Sequence, residues 1–79
     1  MISASPNPCT LSGGVCTSTI SWSVAAGVPH VTVRLRETGA LFSSGTPASV
    51  NAPWIYSGGY HFDLYSDSTL INSVFVYGH

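Results

Sequence analysis

The residues best placed for chemistry are His61 and Asp63, two positions apart in Tyr60-His61-Phe62-Asp63-Leu64-Tyr65. In an extended strand that spacing turns both side chains to one face, which is how some non-haem iron sites begin a set of two histidines and a carboxylate. The third ligand would have to come from His30, in a loop-like stretch, or from His79, the last residue. The pair therefore reads as two strand residues facing solvent, and no metal or other cofactor is expected.

Other catalytic sets are equally incomplete. No Gly-x-Ser-x-Gly elbow occurs, and no histidine has a serine and a carboxylate near it in the pattern of a triad. Glu37, Asp63 and Asp67 are the whole carboxylate supply, and no two stand where they would flank a glycosidic bond. The expectation is a protein that is not an enzyme. Asn7, Asn51 and Asn72 lack a hydroxyl residue two places on, so no N-glycan acceptor is present, and there is no Arg-Gly-Asp.

Cys9 and Cys16 bracket Thr10-Leu11-Ser12-Gly13-Gly14-Val15. Two cysteines at that spacing with scattered histidines do not make a zinc pattern, and a disulfide is expected. Loop entropy makes such a bridge worth about 2.5 kcal/mol, a large share of the stability of a domain near the lower size limit for an unaided core. A disulfide implies an oxidising compartment, hence a secreted or surface-exposed protein.

Charge is scarce. Only 6% of the 79 residues are charged and there is no lysine, against about 25% in ordinary soluble domains. Thirteen serines and seven threonines must solvate the surface instead. With Arg34 and Arg36 the only fixed cations and a net charge of −1, counterion release from a phosphate backbone is negligible, so nucleic acid is not an expected partner. No apolar run is long enough for a membrane helix. Met1 reads as an expression start on an excised module, and His79 as the remnant of a purification tag with no function.

Seven short strands are expected. Ile2 to Ser5 ends at Pro6-Asn7-Pro8. Thr17 to Val24 alternates with Ile20, Trp22 and Val24 inward, and Val31 to Glu37 with Val31, Val33 and Leu35 inward. Thr38-Gly39 reads as a two-residue turn into Ala40-Leu41-Phe42. After the polar break Ser43-Ser44-Gly45-Thr46-Pro47, Ala48 to Ala52 forms a strand stopped by Pro53. Gly58-Gly59 permits a sharp turn into Tyr60 to Ser66, where Tyr60, Phe62 and Leu64 share one face. Asp67-Ser68-Thr69 turns into a last strand, Leu70 to Tyr77. With no helical period, this is a single all-β domain over residues 1–79, a two-sheet antiparallel sandwich with Trp22, Val33, Leu35, Phe62 and Leu64 in its core.

Two segments carry a family resemblance. Trp54, then Tyr60-x-Phe62-x-Leu64, resembles the tyrosine corner before strand F of immunoglobulin-like and fibronectin type III domains. Thr19-Ile20-Ser21-Trp22-Ser23 is similar to their strand B. The resemblance covers about a quarter of the chain. It implies that the Tyr60 hydroxyl bonds back to backbone at the corner, and that Trp54 fills the buried apolar place there, leaving Tyr56 outside. The low charge and Ser/Thr content resemble such modules of secreted bacterial proteins.

In that family strands C, F and G share a sheet, and its outer face would hold Tyr65, Phe75 and Tyr77 as a ligand platform with Arg34, Arg36 and Asp63 at its polar edges. This requires Leu70, Asn72, Val74 and Val76 to point inward. A slip of one residue would instead bury Ile71, Ser73, Phe75 and Tyr77. Two valines suit a narrow gap beside Trp22 and Phe62, which favours the first register, although Asn72 would then need a buried partner or a wet strand end. Aromatic rings stack on the apolar faces of sugars, and Arg or Asp bond hydroxyls. The expected function is a non-catalytic accessory module binding a polysaccharide or other glycan. The alternative is a structural spacer or protein-interaction module that contacts other domains of its parent chain.

Overall fold

The computed structural model describes residues 1–45 and 48–79, so part of the expected polar break at 43–47 lies outside the described residues. Seven strands form two antiparallel sheets, with no helix among the described residues. β1 (Ile2–Ser5), β2 (Cys16–Trp22) and β5 (Ala48–Ile55) lie in the order β1-β2-β5. The second sheet has the order β4-β3-β6-β7, built from β3 (Val31–Leu35), β4 (Leu41–Ser44), β6 (Tyr60–Ser66) and β7 (Thr69–Val76).

Period-two alternation explains which residues meet between the sheets. Ile20 and Trp22 of β2, Val31, Val33 and Leu35 of β3, Phe62 and Leu64 of β6, and Val76 of β7 are all buried in one cluster. All five of the core residues expected from sequence belong to it. Phe42 of β4 joins the halves by meeting Trp22, Trp54 and Phe62 edge-on, with centroids 6.3, 5.9 and 5.0 Å away. Such contacts add about 0.5–1.5 kcal/mol each beyond area burial.

With few charges, hydroxyls and amides solvate the outer face of the first sheet. Thr19 Oγ1 donates to Asn51 Oδ1 at 2.8 Å, and the Ser21 and Ser49 hydroxyls are 2.8 Å apart on paired strands. The one buried hydroxyl of β2, Ser18, donates to the Pro6 carbonyl at 2.9 Å, as burial of a polar group requires.

Four expectations are corrected. First, β5 does not stop at Ala52 but continues through Pro53 to Ile55. It pairs only with β2, so the proline's missing N–H is tolerated on an edge strand. Second, Cys16 pairs with Ile55 while Ser18 pairs with Ala52, which gives β5 one extra residue. That residue flips the alternation, so Ile55 becomes fully buried and Trp54 is left 37% exposed at the side of the sandwich rather than in the core. Third, β3 ends at Leu35 and β4 starts at Leu41, a longer link than the expected Thr38-Gly39 turn. Gly39 closes it, donating its N–H to the Leu35 carbonyl at 2.7 Å with φ of 73°.

The fourth correction concerns β7. The Asp67-Ser68 turn pairs Ser66 with Thr69 and Tyr65 with Leu70, but Leu64 then pairs with Asn72. Ile71 is the extra residue of this bulge. Beyond it Val76 is buried and Val74 half-buried, in the chosen register, whereas Leu70 lies beside Tyr65 and is 49% exposed. Asn72 is exposed, with its Oδ1 accepting from the Ser73 N–H at 2.8 Å.

Cys9 and Cys16 are bonded, with Cα atoms 5.8 Å apart. The Cys9 N–H donates to the Tyr77 carbonyl and the His79 N–H to the Cys9 carbonyl, so this segment extends the second sheet beyond β7. Cys16 belongs to β2 in the first sheet. The bridge therefore clips the two sheets together at one end, and His79 takes part through its backbone. A Cys9→Ala/Cys16→Ala variant is expected to lose about 2.5 kcal/mol, lowering the melting temperature by roughly 10 °C or more; thermal denaturation followed by circular dichroism checks this.

Candidate functional site

The β6–β7 hairpin positions the aromatic end of the outer face. Phe75 pairs with His61 across the ladder, and Tyr77 follows two residues on, so the three share a face. Phe75 and Tyr77 are 42% and 37% exposed. Their rings are nearly parallel, 20° apart with centroids separated by 5.8 Å, and the His61 ring lies 4.6 Å from Phe75. The result is an offset row of three rings rather than a coplanar floor.

Gly59 makes the row possible. It has φ of 73° and is buried, and a Cβ there would meet Phe75 Cζ and Tyr77 Cβ at 2.8 Å and the Val76 carbonyl oxygen at 2.5 Å. Only glycine lets the rings settle over the backbone at this point, as aromatic side chains do over glycines in sheets.

Polar groups fix the other side of the row. The Glu37 carboxylate accepts the His61 backbone N–H at 2.9 Å and also meets His61 Nδ1. It acts as a substitute strand, taking up a β6 donor just past the end of β3. Partial burial alone would raise the Glu37 pKa, but the hydrogen bonds from the His61 ring and backbone outweigh it and hold the carboxyl below its usual value. Next along β6, Asp63 is 3% exposed and accepts Arg36 Nε and Nη2 at 3.1 and 2.9 Å. Hydrogen bonding to Asp63 raises the Arg36 pKa further above its already high value.

The six residues expected to form one platform are thus divided. Phe75 and Tyr77 are together. Arg36 and Asp63 are joined to each other, so Asp63 supports the Arg36 guanidinium instead of offering a free carboxylate. Arg34 pairs with Asp63 in the ladder, and its Nη1 donates to the Gly39 carbonyl at 3.3 Å. Tyr65 is half-buried between Thr32 and Leu70, four residues along β6 from His61, about 13 Å at strand spacing. It belongs to the opposite end of the face.

His61, Glu37 and Gly59 complete the site and were not singled out for it by sequence. The strand alternation placed His61 on the outer face, but its partner across the ladder depends on the Ile71 bulge. Glu37 and Gly59 carried no comparable signal. The carboxylate of Asp63 and the ring nitrogen Nδ1 of His61 already have protein partners, and among the described residues no group of three metal-ligating side chains occurs.

Two outcomes are expected. Arg36→Ala leaves a buried carboxylate without its partner and should destabilise the fold. Adding Asp63→Asn should restore part of that loss in urea unfolding. Because its folded pKa is depressed, Glu37 contributes stability that is complete above its unfolded value and disappears as pH falls through the lower, folded value. Glu37→Gln should therefore lessen the loss of stability seen below about pH 4.5, measured as melting temperature against pH.

Compared with known proteins, the chain matches no family model, no curated protein and no solved structure.

Proposed function

We propose that this chain is a non-catalytic accessory module of a secreted bacterial protein, of the immunoglobulin-like and fibronectin type III-like kind, that binds a glycan through the outer face of the β6–β7 hairpin. The placement of β3, β6 and β7 in one sheet and of β1, β2 and β5 in the other supports the kinship, since strands C, F and G share a sheet apart from A, B and E in those folds. Tyr60 is held by its ring, 5.2 Å from Trp54 and 5.3 Å from Tyr56, so the corner resembles the family's in position more than in its hydrogen bond. The disulfide is compatible with an extracellular setting.

The observation that carries the ligand is the exposed Phe75–Tyr77 row, continued by His61 and set on a hairpin without a charged residue in β7. Rings held this way present apolar edges and one outer face to a sugar, while the Arg36 guanidinium, steadied by Asp63, offers donors to its hydroxyls. A second reading, a spacer or protein-interaction module, is favoured by one fact: Phe75 and Tyr77 already serve to cover Gly59. Affinity electrophoresis through a panel of polysaccharides separates the two. Glycan binding predicts retardation by at least one polymer and about fivefold weaker binding for Tyr77→Ala, the equivalent of about 1 kcal/mol. A spacer predicts no retardation, with substitutions altering only the melting temperature.

A further inference from the structure

We infer that Trp54 forms the floor of a second binding site, on the open side between β4 and β5, for an uncharged sugar ring. The indole lies over Phe62 at a centroid distance of 6.0 Å and 22° between planes. Phe42 and Tyr60 meet it edge-on, at 78° and 87°. Three rings therefore set its orientation, one of them the fully buried Phe62 beneath it. Although held by these rings, Trp54 is 37% exposed. A ring presented in this way needs no reordering when a ligand stacks on it. Trp22, by contrast, is 3% exposed and has its Nε1–H committed to the Gly45 carbonyl.

The surroundings select the ligand. Tyr60 adjoins Trp54, and Tyr56, 45% exposed, adjoins Tyr60. Among the described residues the Trp54 indole N–H and the two phenol hydroxyls have no protein partner, and they belong to two exposed residues, Trp54 and Tyr56, and to the half-buried Tyr60, which has no polar atom buried unsatisfied. Arg34, Arg36, Glu37 and Asp63 lie on the outer face of the second sheet or in its β3–β4 link, and Asp67 in the β6–β7 turn. An uncharged surface gives no advantage to an acidic or basic ligand. An apolar side chain would cover the rings but remove water from three polar groups without replacing its hydrogen bonds. A pyranose has an apolar face for the indole and a rim of hydroxyls for the three groups. This site shares no ring contact with the Phe75–Tyr77 row and does not depend on it.

Trp54 is the exposed member of the chain's two tryptophans, so the acrylamide-quenchable part of the emission reports on this site. The protein is titrated with neutral cello-, xylo-, malto-, manno- and chito-oligosaccharides, and with polygalacturonate as an acidic control. A blue shift and protection from acrylamide quenching with at least one neutral sugar are expected. Trp54→Phe, which keeps a ring on Phe62, should abolish that response and weaken calorimetric binding at least fivefold, with the melting temperature within a few degrees of the parent. Phe75→Ala/Tyr77→Ala should retain the emission response. No response to any neutral sugar, a response to polygalacturonate alone, or parent-like binding by Trp54→Phe overturns the inference. Retardation that survives Trp54→Phe but not Tyr77→Ala would leave the hairpin site standing by itself, and the converse would leave only this one.

Discussion

The clip at the end of the sandwich is the constraint on which the rest depends. After β1 the chain leaves the first sheet, and Cys9 exchanges backbone hydrogen bonds with Tyr77 and His79 beside the second. The disulfide then returns it to the first sheet at Cys16. Asn7 strengthens the same seam by donating its side-chain N–H to the Phe75 carbonyl at 2.9 Å. Two small sheets bury little area apiece, and fixing their relative position covalently lowers the entropy of the unfolded chain rather than adding contacts to the folded one. The aromatic row rests on the strand that this clip holds.

Scarcity of charge has a structural counterpart. Four of the five charged side chains lie on the second sheet or in its β3–β4 link, and three of them are tied: Arg36 to Asp63, and Glu37 to His61. The Asp63 carboxylate is tolerated in a buried place because both its oxygens accept from one guanidinium. The first sheet manages without ions, through hydroxyl pairs across its strands. One sheet thus carries no charged side chain, while the other combines the Arg36–Asp63 ion pair with exposed rings. This asymmetry, rather than the overall composition, sets the β4-β3-β6-β7 face apart from the other sheet.

Aromatic residues divide along the same lines. Trp22, Phe42, Phe62, Trp54, Tyr60 and Tyr56 form a continuous chain of ring contacts from the core to the open side of the sandwich. His61, Phe75 and Tyr77 form a separate row on the outer face. The turn from Tyr56 to Gly59 separates them, and the Tyr56 carbonyl accepts N–H groups from both Gly59 and Gly78. These are backbone hydrogen bonds, made without the rings.

Alternation in the sequence by itself determined the all-β class, the extent of β6, the five core residues from Trp22 to Leu64 and the pairing of the two cysteines, because period-two patterning and short loop closure are local properties. It also placed His61 and Asp63 on one outer face. Tertiary structure alone decided how those faces are populated, since two single-residue bulges reverse the alternation. Without Ile71 as an extra residue, Phe75 would lie opposite Tyr60 and turn inward; with it, Phe75 lies opposite His61 and turns out. The extra residue of β5 likewise buries Ile55 and brings Trp54 to the surface. A bulge is selected by how the whole strand fits its neighbour and the core beneath it, a balance among residues distant in sequence. The same holds for Asp63, whose burial beneath Arg36 depends on β3 and β6 lying side by side.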